Sequence, residues 1–477
     1  MSIPLMYQED VVETFQVKRT ERMWTPYNEM FSHDCHLSKN LWNQAQFIVN
    51  EEYKKSGDIP PYEYVWAKLS DINYCEDNPD FDNYHKLPPP TSEQILKVHG
   101  RSWTSFKEGE KGYFDPDNPK RYNYTGKPKK PRYKEKDGEF ILIFTNQQCK
   151  IRNGVLIFPK TFKGFKVKVR FDDSYTQDGF DLYGNGDYNL YDKNGNLKRN
   201  VKLQEVRIIP QGVGYIVEIV YEKEVVKNKY DLDPKRIMGI DLGVENLAAI
   251  VDNIGNQPII IKGDFLKSVN QWYNKKKAEF QAIYDRNLLG CLLKRDKKGN
   301  IKYLTRKNGH KMEILTANRN WIVMDILHKV SRYIVNLALE LKVKTIAIGH
   351  IPLWKQEVNL GKRNNQNFVN IPYYMLIKMT RYKAEEYGMN IICQNESYTS
   401  KCSFLDNEEL CHHDKYVGKR IHRGLFRSGK GILINADVQS AYNIIRKVYP
   451  TFSFKETMKG VAVSGFVPKR LSVSDLM

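Results

Sequence analysis

The chain has 477 residues and carries 75 Lys and Arg against 56 Asp and Glu, for a formal net charge of +19. This length predicts two to four domains, and 41% apolar residues is typical of a globular protein. The charge favours a polyanionic partner, most often nucleic acid, over a role in solubility alone. Seven scattered Cys residues exclude a disulfide framework, and the start MSIPLMYQED is unlike a signal peptide. With no apolar run of membrane-spanning length, we expect a cytoplasmic protein without a membrane partner.

The first third of the chain combines a short strand with helices. Val12 to Arg19 alternates like a strand that is too short to stand alone. Further on, apolar residues at helical spacing (Leu37, Leu41, Ala45 and Ile48) and the stretch Tyr62 to Leu69 predict two helices. Thr91 with Gln94 forms a capping-box signal for a third helix that reaches about Phe106. Residues 31–110 are therefore predicted to form a small helical module.

The next segment, residues 111–230, is β-rich. The predicted strands are Phe140–Thr145, Gly154–Phe158, Phe165–Phe171, Val201–Ile209 and Tyr215–Tyr221. An Asn153-Gly154 turn separates the first two. We interpret this segment as a small β-barrel or sandwich, joined by the strand within residues 1–30.

From Arg236 the pattern becomes α/β. The predicted order is three strands (Ile237–Asp241, Asn246–Val251 and Pro258–Lys262), a long helix over 322–341, the strand Thr345–Gly349, a helix that ends at Gly388, and the strand Asn390–Gln394. This is the element order of the RNase H fold. The right-handed crossover rule makes the last two strands parallel neighbours.

Two acidic residues stand out in this half. Asp241 closes a buried strand, where a carboxylate costs several kcal/mol unless something pairs with it. Asp437 lies in the first turn of a helix with Asn435 as the predicted N-cap, on the same face as Ala441 and Ile444. Because that face is apolar, Asp437 is expected to approach the sheet. Two inward carboxylates on such a core predict a divalent metal site, and Mg²⁺ suits them best.

In RuvC-type nucleases, whose element order this half of the chain resembles, a third carboxylate ends the fourth strand, but here Gly349 occupies that position. Glu396, after the fifth strand, is the predicted replacement. It must reach over about two strand spacings, roughly 9–10 Å, and Gly349 leaves that space empty. Glu357, in the loop WKQEVNLGK, is the alternative, and Glu245 is a further acid that would contribute if neither does.

Six motifs carry a family resemblance: GIDLGVENLAAI, SYTSKCSF, YVGKRIHRGLFRS, INADVQSAYNI, GKPKKPRYKEKDG and FTNQ. Together they resemble TnpB, the RNA-guided nuclease encoded by insertion sequences, and the related miniature type V CRISPR effectors. The resemblance covers about 236–450 well and the N-terminal half only by scattered motifs. It implies a prokaryotic protein with a guide RNA, two Mg²⁺ ions held by Asp241, Glu396 and Asp437, and cleavage of double-stranded and single-stranded target DNA beside a short flanking motif. Whether it acts as a monomer or a homodimer on one RNA stays open.

The same resemblance implies a division of the chain. The implied parts are the N-terminal strand of a β-barrel (wedge) domain (1–30), an inserted helical recognition module (31–110), the rest of the β-barrel (wedge) domain (111–230), an RNase H-like (RuvC) nuclease domain in two parts (235–398 and 434–460), a target-nucleic-acid-binding insert between them (399–433), and a C-terminal tail (461–477).

The insert departs from the two CxxC pairs that such relatives often carry. Its candidate zinc ligands are Cys402, Cys411, His412 and His413, with His422 further on. Their spacing is irregular, so a degenerate finger held by packing is the alternative to bound Zn²⁺.

Two basic clusters are the predicted nucleic-acid contacts. The first lies in KRYNYTGKPKKPRYK and comprises Lys127, Lys129, Lys130, Arg132 and Lys134; the second, in the insert, comprises Lys401, Arg420, Arg423 and Arg427. Cations on an extended segment suit RNA phosphates, while an ordinary solvated linker is the alternative for the first cluster.

The leading function is an RNA-guided DNA endonuclease. A nuclease-deficient RNA-guided repressor and, less favoured, a DNA transposase are the alternatives.

Overall fold

The computed structural model describes residues 14–76, 82–118, 126–152, 155–159, 166–168, 188–191, 197–226, 230–288, 293–295, 301–303, 310–349, 371–422, 424–452 and 467–476. Two compact units divide the chain, residues 1–226 and 227–477. Glu357, Arg423 and the Asn153-Gly154 turn lie outside the described residues. None of the described helices has an apolar stretch that would let it cross a membrane.

The first unit contains four helices and eight strands in its described part. They are β1 (Thr14–Pro26), α1 (Glu29–Ser56), α2 (Tyr62–Ser70), α3 (Ile72–Glu76), α4 (Pro89–Phe114), β2 (Leu142–Thr145), β3 (Lys150–Arg152), β4 (Val155–Ile157), β5 (Lys166–Lys168), β6 (Tyr188–Tyr191), β7 (Leu197–Pro210) and β8 (Gly214–Val226). β1 pairs with β8 over its whole length, and the sheet runs β1-β8-β7-β2 with β6 beside β7. Between the described residues, no pairing closes β1 onto β2, so the barrel stays a prediction.

Helix α1 has well-defined ends. The Asn28 side chain accepts hydrogen bonds from the N–H groups of Met30 and Phe31, and Gly57 ends the helix at φ 76°. Helix α4 corrects the capping-box prediction, because it begins at Pro89 and Thr91 lies buried within it. Pro89 and Pro90 have no N–H group, so the first turn has fewer donors in need of a cap. Trp66 of α2 is 38% exposed.

The second unit is built on a six-stranded sheet. Its described elements are β9 (Asp233–Leu242), β10 (Asn246–Asp252), β11 (Ile259–Lys262), α5 (Asp264–Leu288), β12 (Leu293–Arg295), β13 (Ile301–Tyr303), α6 (His310–Glu340), β14 (Val343–Gly349), α7 (Tyr373–Glu385), β15 (Asn390–Gln394), β16 (Lys419–His422), β17 (Leu425–Arg427), β18 (Leu433–Asn435), α8 (Ala436–Val448), β19 (Lys469–Leu471) and a 3-10 helix (Val473–Leu476).

The strand order of this sheet is β15-β14-β9-β10-β11-β19. β14 lies between β9 and β15 and is parallel to both, which confirms that the last two predicted strands are parallel neighbours. β10 is antiparallel to β9 and β11. Residues 469–471, expected in a tail, add β19 as a parallel edge strand beside β11.

Each face of this sheet packs against different helices. Met238 and Ile240 of β9 join a cluster with residues of α6 and α7, such as Ile326 and Leu376. On the other face, Ile237 of β9 and residues of β10 and β11 pack against α8. This alternation is what a central strand buried on both faces requires. Asp241 follows the α8 side of the alternation.

Candidate active site

Helix α8 lies unusually close to β9, and a glycine permits this. A Cβ atom built on Gly239 would lie 2.5 Å from the carbonyl oxygen of Ala441. Any other residue would therefore push the helix away from the strand. Because Asp437 lies one turn before Ala441, this close approach brings the start of α8 to the end of β9, where Asp241 stands.

The side chain of Asp437 is held from two sides. The Asn246 amide donates a 2.6 Å hydrogen bond to one carboxylate oxygen, and the Arg420 guanidinium lies 3.7 Å from the other. Asn435 caps α8 by accepting hydrogen bonds from the N–H groups of Asp437 and Val438, which confirms the predicted N-cap. Three separate elements, β10, β16 and α8, thus define the position of Asp437.

Glu396 reaches over Gly349 toward Asp241. Ile348 pairs with Ile240, so Gly349 runs alongside Asp241, and Gly349 in turn pairs with Gln394. A Cβ atom at Gly349 would lie only 3.0 Å from Glu396 Oε2. The Glu396 carboxylate therefore lies where a side chain on β14 would otherwise be, and it hydrogen-bonds to Asp241.

The turn that carries Glu396 is fastened to α8. The Gln439 and Asn443 amides each donate to the carbonyl oxygens of Thr399 and Cys402, at 2.7–3.0 Å. Lys447 donates to the carbonyl oxygen of Asn395 at 2.9 Å. Since Gln439 and Asn443 are buried, these bonds tie the Glu396 turn to the same helix that begins at Asp437.

The three carboxylates repel one another. Burial first, then the charges of Glu396 and Asp437 and the hydrogen bond to Glu396, raise the pKa of Asp241 well above its usual value, and Arg420 opposes the shift. Burial also raises the pKa of Glu396, while its hydrogen bond to Asp241 and the charge of Lys447 oppose that rise. A hydrogen bond between these two carboxyl groups requires a proton on one of them. A bound cation would stabilise such a cluster of carboxylates.

An open cleft of about 1390 Å³ surrounds these acids. Its lining includes Asp241, Glu396 and Asp437, and also three cationic side chains, Lys262, Arg420 and Arg470. Glu245 lines the cleft as well, but it forms a 2.6 Å ion pair with Lys267. Acids in one part of a cleft and cations in another suit a phosphate-bearing substrate with a cation between.

The donor set fits Mg²⁺. Three carboxylates provide the hard oxygen ligands that this ion prefers, and the space above Gly349 admits the third. In the described residues, however, no three His, Cys, Asp or Glu side chains already converge on one point as a metal site. At the acidic trio, Asp241 and Glu396 hydrogen-bond to each other, while Asp437 faces Asn246 and Arg420. The three carboxylates therefore do not point toward one common centre.

The candidate zinc ligands are only partly brought together. Cys411 Sγ lies 3.4 Å from His413 Nε2, but the Cys402 thiol donates to the Cys411 carbonyl and His412 packs edge-on to Tyr398. Glu408 instead accepts hydrogen bonds from the N–H groups of Ser403 and Val417. Within the described part of this insert, no three His, Cys, Asp or Glu side chains converge as metal ligands either.

The first basic cluster lies on an extended segment of the first unit, residues 126–136, which we call the basic segment. Its main chain is bound by α1: Trp42, Asn43 and Gln46 donate to the carbonyl oxygens of Arg132, Lys134 and Pro131. Lys129 and Arg132 are exposed. The other three cations have partners: Lys127 pairs with Glu110, Lys130 covers the Tyr53 ring, and Lys134 covers Trp42.

The second basic cluster lies in the second unit. Lys401, Arg420 and Arg427 are exposed, and Arg420 is the one that lines the cleft.

Sequence reasoning missed Asn246, Tyr373 and Arg470. Burial and the charges of Asp241 and Glu396 raise the pKa of Tyr373, so its ring is a neighbour of the acids. Asn246 and Arg470 could have been identified only from the register of β10 and β19.

The fold and the cleft define a mixed α/β protein with a three-carboxylate site. Residues 218–354 match the family model described as "Probable transposase" (OrfB_IS605), and residues 373–444 match the one described as "Cas12f1-like, TNB domain". Asp241 lies in the first match, and Glu396 and Asp437 lie in the second. The resemblance to TnpB and to miniature type V effectors is thereby confirmed.

Among curated proteins, a TnpB-like protein of Acidianus two-tailed virus is 25% identical over 440 residues, which cover 86% of this chain and 81% of that protein. The CRISPR-associated endodeoxyribonuclease Cas12f1 of Sulfoacidibacillus thermotolerans is 34% identical over 119 residues, 24% of this chain and 25% of that protein. A solved complex of Cas12f1 with guide RNA and target DNA aligns with a TM-score of 0.45 at 16% identity, over 88% of this chain and 83% of that one.

Proposed function

We propose that the protein is an RNA-guided DNA endonuclease with an RNase H-like (RuvC) nuclease domain. The observation that carries this proposal is the meeting of Asp241, Glu396 and Asp437 in one open cleft. The matched regions and the net charge of +19 support a nucleic-acid substrate. Guide pairing would supply sequence specificity, while the protein reads a short flanking motif and the backbone.

In this proposal Asp241, Glu396 and Asp437 would hold Mg²⁺, and the chemistry that the bound ion would supply is activation of water and stabilisation of the leaving oxygen of the scissile phosphate. Asn246 keeps the Asp437 carboxylate oriented through its 2.6 Å hydrogen bond. Lys447, tied to the Asn395 carbonyl, stabilises negative charge on Glu396. Lys262 and Arg420 lie in the same cleft, where they can neutralise backbone phosphates.

Guide RNA is the proposed partner of the basic segment. Four side chains of α1 keep the segment extended through five hydrogen bonds to its main chain, unlike a solvated linker. Lys39, Trp42, Asn43 and Gln46 donate to its carbonyl oxygens, and Asn43 also accepts from the Lys134 N–H at 2.7 Å. A fixed row of cations loses little conformational entropy when it binds phosphates.

The argument for the repressor alternative is Gly349, which stands where a carboxylate on β14 would complete the acidic trio. Because Glu396 fills the space beside Gly349, that argument loses its force. The transposase alternative would use a similar trio, so the description "Probable transposase" alone does not separate the two. Guide dependence does, because a transposase of this kind needs no RNA for cleavage.

The test is cleavage by the ribonucleoprotein purified from bacteria, with its RNA sequenced to define the target. The wild-type protein should cut matched DNA in Mg²⁺ and leave unmatched DNA intact. Asp437→Asn should abolish cutting and leave guide-dependent binding nearly unchanged, because it removes a ligand charge and no part of the channel. Glu245→Gln is the matched control, an acid of the same cleft that pairs with Lys267. Cutting by Asp437→Asn at the wild-type rate, or cutting without RNA, would refute the proposal.

A further inference from the structure

The edge strand β19 continues a row of residues that begins at Asp241. Asp241 pairs with Ala249, Ala249 pairs with Ile260, and Ile260 pairs with Arg470. Directly paired residues in a sheet project from the same face. Arg470 therefore projects from the face that carries Asp241, three strand spacings or about 14 Å away.

Strand β19 is firmly held at this position. Lys469 donates its N–H to the Pro258 carbonyl at 2.8 Å, and Gln257 donates to the Val467 carbonyl at 2.9 Å. Leu471 and Val473 are buried, and Val473 packs into the cluster that contains the residues of α6 and β14. Arg470 is thus carried by an ordered edge of the sheet.

The Arg470 side chain has no structural task in the part of the chain that the structure describes. It is exposed, it forms no hydrogen bond or ion pair with any described residue, and it lines the cleft of the acidic trio. Lys262, at the end of the neighbouring strand β11, lines the same cleft. A guanidinium that has no partner among the described residues, in a cleft that also holds three carboxylates, indicates an anionic ligand that contacts both the guanidinium and a cation at the carboxylates.

We propose that Arg470 binds a backbone phosphate of the DNA strand that is cut, so that β19 forms one wall of the substrate channel. This inference rests on the proposed nuclease function. The separation of about 14 Å from Asp241 exceeds the reach of one phosphate group, so Arg470 contacts a phosphate a few nucleotides from the scissile one. Its role is to position the strand.

Lys469 provides a matched control, because adjacent residues of a strand project from opposite faces. It is a cation on the same strand, and it pairs with Ile259, whose side chain packs into the cluster on the α6 and α7 face. Arg470→Gln and Lys469→Gln therefore remove the same charge from the same strand, on opposite faces of the sheet. Arg470→Lys keeps the charge and checks that the strand stays folded.

The experiment uses the guide-loaded protein in EDTA, so that no strand is cut. The target strand carries one neutral methylphosphonate, moved a nucleotide at a time along both sides of the cut site, and its protection from hydroxyl-radical cleavage is measured. At one position within a few nucleotides of the cut, the neutral group should reduce protection about fivefold in wild type, in Lys469→Gln and, more weakly, in Arg470→Lys. In Arg470→Gln, protection should already be low, and that position should have no further effect.

Equal protection by Arg470→Gln and Lys469→Gln, or a methylphosphonate effect that persists in Arg470→Gln, would overturn this inference alone. If the wild-type guide-loaded protein protects no strand beside the cut site, the proposed function fails together with the inference.

Discussion

The carboxylate of Glu396 lies in the space that a side chain at residue 349 would fill, with Oε2 3.0 Å from the position of a Cβ atom on Gly349. The same Cβ atom would lie 2.6 Å from Ile444 Cδ1. Glycine on β14 and glutamate after β15 therefore form one arrangement, in which the third acid comes from the strand farther from Asp241.

Gly349→Ala should damage both packing and the acidic site. The contact with Ile444 should destabilise the protein by about 1–3 kcal/mol, as overpacking does. The contact with Glu396 should also lower cleavage by displacing the carboxylate. Adding Ile444→Val should restore stability but not cleavage, because only the first contact is relieved. Thermal unfolding and cleavage rates of the single and double variants measure this; recovery of both together would contradict it.

Asn246→Ala should weaken the metal site without removing a ligand. The loss of its hydrogen bond to Asp437 should raise the Mg²⁺ concentration for half-maximal cleavage about 10- to 100-fold. The control is Asn256→Ala, which breaks a similar amide–carboxylate bond, to Asp252, at the other end of β10. An unchanged Mg²⁺ requirement in Asn246→Ala would remove Asn246 from the site.

The cations of the basic segment should have two different roles, RNA binding for the exposed ones and stabilisation of the fold for Lys134. Replacing exposed Lys129 and Arg132 with Ala should weaken RNA retention and reduce the slope of log affinity against log salt by about 1.4, as expected for two phosphate contacts on a single strand. Lys134→Ala should mainly lower stability, since burial lowers the pKa of this lysine and its side chain covers Trp42 and Phe140. An unchanged slope in the Lys129/Arg132 variant would leave the segment with a structural role only.

Acid should destabilise the first unit through His99. Burial, assisted by the charge of Lys134, lowers the pKa of His99 to about 4 from 6.5, and its ring nitrogen pairs with Gln46 at 2.9 Å. Between these two pKa values, the unfolded chain therefore binds a proton on His99 that the folded chain does not bind. The stabilising effect is complete above pH 6.5 and is lost as the pH falls toward 4, by about 3 kcal/mol in total.

Hydrogen exchange of the α1 and α4 amides between pH 7 and pH 4, corrected for intrinsic exchange, measures this loss. His99→Gln should be less stable at pH 7 but should show a flatter pH dependence. The same pH dependence in variant and wild type would assign the acid sensitivity to other groups.

Sequence reasoning could locate the candidate acids where a local pattern marks them. Asp241 at the end of a buried strand and Asp437 in the first turn of an inward-facing helix were both visible in this way, and the structure brings them together. Glu396 followed from the strand order and the glycine beside it. What the sequence could not provide was register: the contact of Asn246 with Asp437 and the row that ends at Arg470 depend on which residues pair across strands.

Other errors have equally physical causes. β19 is three residues long, too short for any periodicity to indicate a strand. The capping-box signal at Thr91 failed because the proline pair before it already starts the helix.

The central claim is that Glu396 completes the acidic trio in place of a residue on β14. The most direct measurement compares guided DNA cleavage by Glu396→Gln and Glu357→Gln at equal guide-dependent DNA binding. The account predicts that Glu396→Gln, nearly isosteric but without the charge that a hard cation needs, cuts as poorly as Asp241→Asn, while Glu357→Gln keeps most of the wild-type rate. Normal cleavage by Glu396→Gln together with an inactive Glu357→Gln would contradict the account and assign the third ligand to the loop acid.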